Sequence, residues 1–229
     1  MVREISLYSS NSCIANNHPL EKLALTMISL IGASYINDIT VLICNIVFFI
    51  VLNIIYKNPR SILLKFIVIT ILFGMGTSLS LLWQGYELKY ILIILLRGIN
   101  GALSVAFLAL TTPINHIVYL FSKSKWTRDI GDIMKSMERF IIIIEDDFSS
   151  TFKAIKSRAG FQGCKNSIRD FGRACGLVFK GLIFRWKEIN LSLKNRCYVG
   201  KHNYYYDFKK SKINVLIIII YGIVVIMVK

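Results

Sequence analysis

The sequence predicts an all-α membrane protein: about five transmembrane helices, with two long cytosolic amphipathic helices between the fourth and fifth spans. Three observations carry this. Apolar residues, 55% of the 229, fall in blocks of about twenty, enough for a helix rising about 1.5 Å per residue to cross about 30 Å of hydrocarbon. Charge is segregated. Of a net +15, a share of +11 lies between Ile114 and Lys212, where 20 Lys and Arg stand against 9 Asp and Glu. Within that segment apolar residues recur every three or four positions, the signature of amphipathic helices.

The first 22 residues read as polar and irregular, with no signal peptide, so the first span serves as its own insertion signal. Span one is expected from Leu23 to Ile36. Asn37-Asp38 forms a turn, and span two follows from Ile39 to Tyr56. The loop Lys57–Lys65 is basic and holds Pro59. Span three runs from Ile62 to Trp83, where Trp83 and Tyr86 suit an interfacial belt. Span four runs from Tyr90 to Thr112 and closes on Thr111-Thr112-Pro113. Span five is expected from Ile213 to Val228. This gives an N-terminal membrane domain (1–113), a cytosolic helical region (114–212) and a C-terminal span (213–229).

Loops after spans two and four are basic and those after spans one and three are not. The positive-inside rule therefore places the N-terminus, the Lys57–Lys65 loop and the large basic segment in the cytosol. Confinement of the charge between spans fits this rule better than a nucleic-acid surface, and no nucleic acid is expected as a partner. The five cysteines show no paired spacing, and disulfides are not expected in a cytosolic segment. His18, His116 and His202 stand far apart; they read as isolated surface or interface histidines rather than a metal site.

The basic segment repeats itself. One stripe runs Ile133, Met137, Phe140, Ile144, Phe148, Phe152, Ile155; a second runs Ile168, Phe171, Cys175, Val178, Leu182, Trp186, Ile189, Leu193. Each implies a helix longer than 25 residues, about 40 Å. Gly160, Gly163 and Gly200 fall where C-caps are expected. Both helices end on matching chemistry: Lys156-Ser157-Arg158-Ala159 and Lys194-Asn195-Arg196-Cys197. An arginine at a helix C-terminus has two readings. It can complement its own helix's carbonyls. It can also project its rigid five-donor fork into a partner's groove. Two such ends on one chain suit a dimeric partner with two equivalent grooves.

Catalytic chemistry has little support. No phosphate-binding Gly-rich loop with a following Lys and hydroxyl is present, and Gly200-Lys201 lacks both flanking features. Glu145-Asp146-Asp147 point to different helix faces and read as solvated. No cofactor is expected. Arg97 is the one strong charge inside a span, to be met by snorkelling or pairing. Beside it, Gly98, Gly101, Ala102 and Ala109 form a small-residue face for close packing, internal or toward another membrane protein.

These stretches resemble the transmembrane T component of energy-coupling-factor (ECF) ABC transporters, the cobalt-transport permease (CbiQ/EcfT) family. "HPLEKLAL" is similar to the family's opening Pro-x-x-Lys-Leu stretch. "LLRGINGALSVAFLALTTP" resembles its arginine-containing span, and "MERFIIIIEDDFSSTFKAIKSRAGF" and "LSLKNRC" resemble its two coupling helices. The family's paired Ala-Arg-Gly-like motifs correspond here to Ser157-Arg158-Ala159 and Asn195-Arg196-Cys197; the arginines match and the flanks depart.

The resemblance implies a non-catalytic subunit of a prokaryotic cell membrane. It would hold two cytosolic ABC ATPases through residues 156–159 and 194–197. It would also hold a membrane substrate-binding S component, cobalt-type or vitamin-type. The "HPLEK" stretch leans toward cobalt uptake feeding cobalamin synthesis, with a biotin- or riboflavin-directed module as the alternative. Two other classes compete. A membrane enzyme would need convergent carboxylates, His or Cys that the spans lack. A membrane-anchored adaptor, binding anionic lipid or a soluble partner, would leave the matched ends without a role.

Overall fold

The computed structural model describes residues 2–12, 14–124, 126–197, 206, 208, 221 and 222. Among them are eight helices and no strand: α1 (Val2–Ser10), α2 (Pro19–Tyr35), α3 (Ile39–Ile55), α4 (Arg60–Trp83), α5 (Leu88–Thr111), α6 (Ile114–Ser122), α7 (Arg128–Ser157) and α8 (Cys164–Asn195). Two compact units result. One comprises 3–120 with the described residues of 206–229; the other lies within 121–205.

In the first unit, α2 to α5 occupy the places of the expected spans one to four. α4 and α5, 24 residues each, are long and apolar enough to cross a membrane. α2 starts earlier than the Leu23 expected. His18 Nδ1 accepts from the Leu20 N–H at 3.2 Å, and Pro19 takes the first helical position, where a missing N–H costs nothing. The leading segment is not wholly irregular, since it contains α1. A nine-residue helix is too short to show a period in sequence and is marginal alone. The fifth expected span lies outside the described residues except for Tyr221 and Gly222, which are helical.

α5 is the hub and packs on α2, α3 and α4. Leu25, Phe49, Leu103 and Phe107 form one buried cluster; Ala33, Ile36, Leu42 and Ile93 form another. The small-residue face is used internally. A methyl added at Gly98 would lie 3.3 Å from Thr70 of α4, and one at Gly101 3.6 Å from Leu30 of α2. Two contacts fix the ends of the bundle. Lys22, at the start of α2, reaches the Thr111 carbonyl at the end of α5. Tyr56, just past α3, packs on Phe107 at 6.0 Å. The start of α2, the α3–α4 turn and the end of α5 therefore share one end. α4 buries only Ile62. Leu72, Phe73 and Trp83 are 74%, 75% and 94% exposed, an apolar surface suited to lipid rather than water.

The second unit is built on α7 and α8, 30 and 32 residues long. Phe148 meets Phe171 at 5.8 Å, and Phe140 and Ile144 share an apolar cleft with Leu182, Ile183 and Trp186. Asp147, read from sequence as solvated, instead pairs with Arg185 at 2.8 Å. The stripes are only partly covered. Phe140, Ile144, Phe148 and Phe152 are half-buried and Val178 is buried, whereas Ile133, Met137, Ile168, Phe171 and Trp186 stay exposed.

Candidate functional site

The two helix ends share one backbone geometry. Arg158 is the C-cap of α7 at φ −93°, ψ 26°; Arg196 is the C-cap of α8 at φ −93°, ψ 15°. Each is followed by a residue in the left-handed region, Ala159 at φ 60° and Cys197 at φ 54°. The Ala159 N–H donates to the Lys156 carbonyl at 3.2 Å, the Gly160 N–H to Ile155 at 3.0 Å, and the Cys197 N–H to Lys194 at 3.0 Å. Ala159 and Gly160 thus complete a Schellman cap on α7, and the Cys197 bond repeats its inner half on α8.

The expected glycine caps are corrected by this geometry. The left-handed position falls on Ala159 and Cys197, small side chains that tolerate it at a cost of about 1–2 kcal/mol. Gly160 serves by close approach, because a Cβ there would stand 2.7 Å from the Ile155 carbonyl oxygen. Gly163 instead precedes α8 at φ 75°. Gly200 lies outside the described residues.

Both arginines are exposed, as are Lys156, Ser157, Ala159, Lys194, Asn195 and Cys197. Among the described residues neither Arg158 nor Arg196 has an ion-pair partner. α8 starts a few residues past Arg158 and ends at Arg196. The two tips accordingly stand roughly one helix length apart, about 48 Å at about 1.5 Å per residue.

A second constellation, at one end of the first unit, was only half visible in sequence. Lys22 of "HPLEK" is 5% exposed. Its ammonium donates to the Thr111 carbonyl at 2.7 Å and to the Ile14 carbonyl. This staples the N-terminal segment to the Thr-Thr-Pro end of α5. His116 sits beside it, buried, with Nδ1 unpartnered. Burial first, and the Lys22 charge second, hold its imidazole below the ordinary range; a hydrogen bond with the Ala15 backbone draws it partly back. His116 and His18 both pack on Phe208, at 4.9 and 5.5 Å. The histidines expected to be isolated thus share one aromatic cluster; His202 lies outside the described residues. The sequence signal was the pairing of a span-leading lysine with a Thr-Thr-Pro terminus, but nothing in either stretch said they would meet.

Arg97 pairs within the chain. Its guanidinium donates to the Ile36 carbonyl at 2.9 Å and to Asn37 Oδ1 at 3.0 Å, tying α5 to the α2–α3 turn. Deeper in the bundle, Asn45 and Asn100 each donate to Ser29 Oγ at 3.4 Å, and the Tyr221 hydroxyl donates to Asn45 Oδ1 at 2.7 Å. This buried polar seam was missed in sequence because single Ser and Asn residues do not disturb an apolar run.

Helices alone among the described residues, with apolar ones suited to lipid, define a membrane protein. The chain belongs to the CbiQ family of cobalt transport proteins, whose sequence pattern matches residues 10–206. Membership makes it a transporter subunit rather than an enzyme. It is 24% identical over 200 residues to an uncharacterized protein of Methanocaldococcus jannaschii, covering 78% of this chain and 73% of that one. It is 25% identical over 114 residues to a protein of Methanocorpusculum labreanum named as a fused cobalt transport protein, CbiMQ, covering 50% of this chain and 19% of the relative.

Proposed function

We propose that this chain is the transmembrane coupling subunit, or T component, of an energy-coupling-factor ABC importer. It links two cytosolic ATPases to a membrane substrate-binding S component. The observation that carries the reading is the pair of similarly capped arginines, Arg158 and Arg196, neither with an ion-pair partner among the described residues, in a member of the CbiQ family. Each inserts its fork into a groove on one ATPase, flanked by Lys156, Ser157 and Ala159 on one side and Lys194, Asn195 and Cys197 on the other. ATP-driven closure moves the two docking points, and α7 and α8 carry that motion to the capture subunit. The exposed apolar residues of both helices suit contact with that subunit and with lipid.

In this reading the chain is multi-pass with its N-terminus cytosolic, and 213–228 is the fifth span. The basic α3–α4 turn, without a single acid from Ile39 to Tyr86, supports the orientation. Cobalt is the proposed cargo, and the relative named for cobalt transport supports it over a vitamin.

The test is co-purification of the ATPases with the tagged chain. Arg158→Glu or Arg196→Glu should each weaken their capture, and the double variant should abolish it. Truncating one member of a buried charge pair costs about 2–5 kcal/mol, and reversal costs more. Retention of the whole complex by the double variant would remove the docking reading.

A further inference from the structure

The α3–α4 turn carries chemistry that the coupling role does not use. A cleft of about 260 Å³ opens there, lined by Asn53, Ile54, Lys57, Asn58, Arg60 and Leu63. Its floor is fixed. Asn53, 1% exposed, donates from Nδ2 to the Phe49 carbonyl at 2.8 Å and accepts from Asn58 Nδ2 at 2.7 Å. Asn58, 9% exposed, is held by its own N–H on the Asn53 carbonyl at 3.1 Å, because Lys57 turns the chain at φ 53°. Pro59 then opens α4, whose first N–H groups lack helical acceptors and carry partial positive charge.

Two full charges, Lys57 and Arg60, flank this floor. Among the described residues neither has an ion-pair or hydrogen-bonding side-chain partner. With no acid between Ile39 and Tyr86, no neighbour in sequence can neutralise them. Ile54 and Leu63 give the cleft an apolar wall. Convergent cations and amides over a rigid floor, at the terminus of an apolar hairpin, suit a phosphate attached to hydrocarbon.

We propose that this cleft binds the phosphate of one anionic phospholipid headgroup, with Lys57 and Arg60 as its cations and Asn58 at its floor. The inference rests on the membrane reading above and not on ATPase docking.

The test is native mass spectrometry of the full chain released from nanodiscs of phosphatidylglycerol or phosphatidylcholine. The parent should retain phosphatidylglycerol in preference. A double variant, Lys57→Asn with Arg60→Gln, should bind it about thirtyfold more weakly, roughly fivefold for each of the two interfacial cations. Asn at 57 tolerates the left-handed backbone, so the turn survives. Lys65→Gln removes one positive charge outside the cleft and should change binding less than about threefold.

Equal retention by the double variant and the parent would overturn the proposal. So would equal retention of phosphatidylcholine, or a loss in Lys65→Gln as large as in the double variant, which would mark diffuse attraction. Displacement of phosphatidylglycerol by millimolar inorganic phosphate would also overturn it, by naming a soluble anion. Failure of the parent to enter nanodiscs at all would sink the membrane reading and this site with it; normal entry without lipid preference would sink this site alone.

Discussion

Replacing Lys22 by Met tests whether a buried lysine staples the N-terminal segment to the bundle. Methionine keeps an unbranched stem of similar volume and removes all three donors. Two carbonyls, of Ile14 and Thr111, lose their partner in a setting where the lysine is 5% exposed. Each buried acceptor left unpaired costs about 1–3 kcal/mol. Relief from burying an ammonium offsets part of that. The net expectation is a loss of about 2–4 kcal/mol, or a fall in melting temperature of roughly 5–15 °C for a chain of this size. Thermal unfolding in detergent measures it. Hydrogen exchange adds location: amides of 14–18 and 111–117 should open, while those of α7 and α8 keep their rates. An unchanged or raised melting temperature would refute the reasoning, since it would mean that the carbonyls find other partners without cost.

Three further outcomes follow from the geometry. Ala159→Gly should slow exchange of the last turn of α7 by removing the left-handed cost of about 1–2 kcal/mol, whereas Gly160→Ala should speed it by driving a methyl against the Ile155 carbonyl. Arg97→Leu should leave the Ile36 carbonyl unbonded and lower transport more than expression, read as uptake against membrane yield; equal losses would make the residue purely structural. His116 binds a proton less readily folded than unfolded. Stability is therefore full above about pH 6.5 and falls as pH drops below it through the lowered value, and His116→Phe should flatten that slope in melting curves.

The helix set was legible because its signals are long-range averages: blocks of apolar residues for α3 to α5, and three-four spacing for α7 and α8. What stayed hidden depends on single atoms meeting across sequence. Lys22 meets Thr111 over 89 positions, and Asn100 meets Ser29 over 71. Neither stretch encodes its partner in its own pattern. The α7 stripe was read correctly as one face, yet Ile133 and Met137 remain uncovered. Periodicity says which residues share a face and is silent on what covers it. Asp147 shows the converse: it lies off the stripe, and only the approach of α8 brings Arg185 to it.

The tips show most clearly how local chemistry and proposed function constrain one another. With the arginine at the C-cap, the following left-handed residue turns the backbone out of the helix path. A β-branched residue at 159 or 197 would resist that turn. A small residue after the arginine is therefore a backbone requirement before it is a recognition feature. Glycine satisfies it at the least cost, and Ala159 and Cys197 satisfy it with some strain. The same caps make each tip the end of a rod, so a push at Arg158 or Arg196 is transmitted along about 45 Å of hydrogen-bonded helix rather than lost in a loop. On the proposed reading, two ATPases moving together at the tips would change the angle between α7 and α8. The apolar cleft of Phe140, Ile144, Leu182, Ile183 and Trp186 is where that change would register. Leu182→Arg, a charge set between the helices there, should uncouple hydrolysis from uptake while leaving ATPase capture intact. Loss of capture together with uptake would show instead that the helix pair is needed merely to hold the tips.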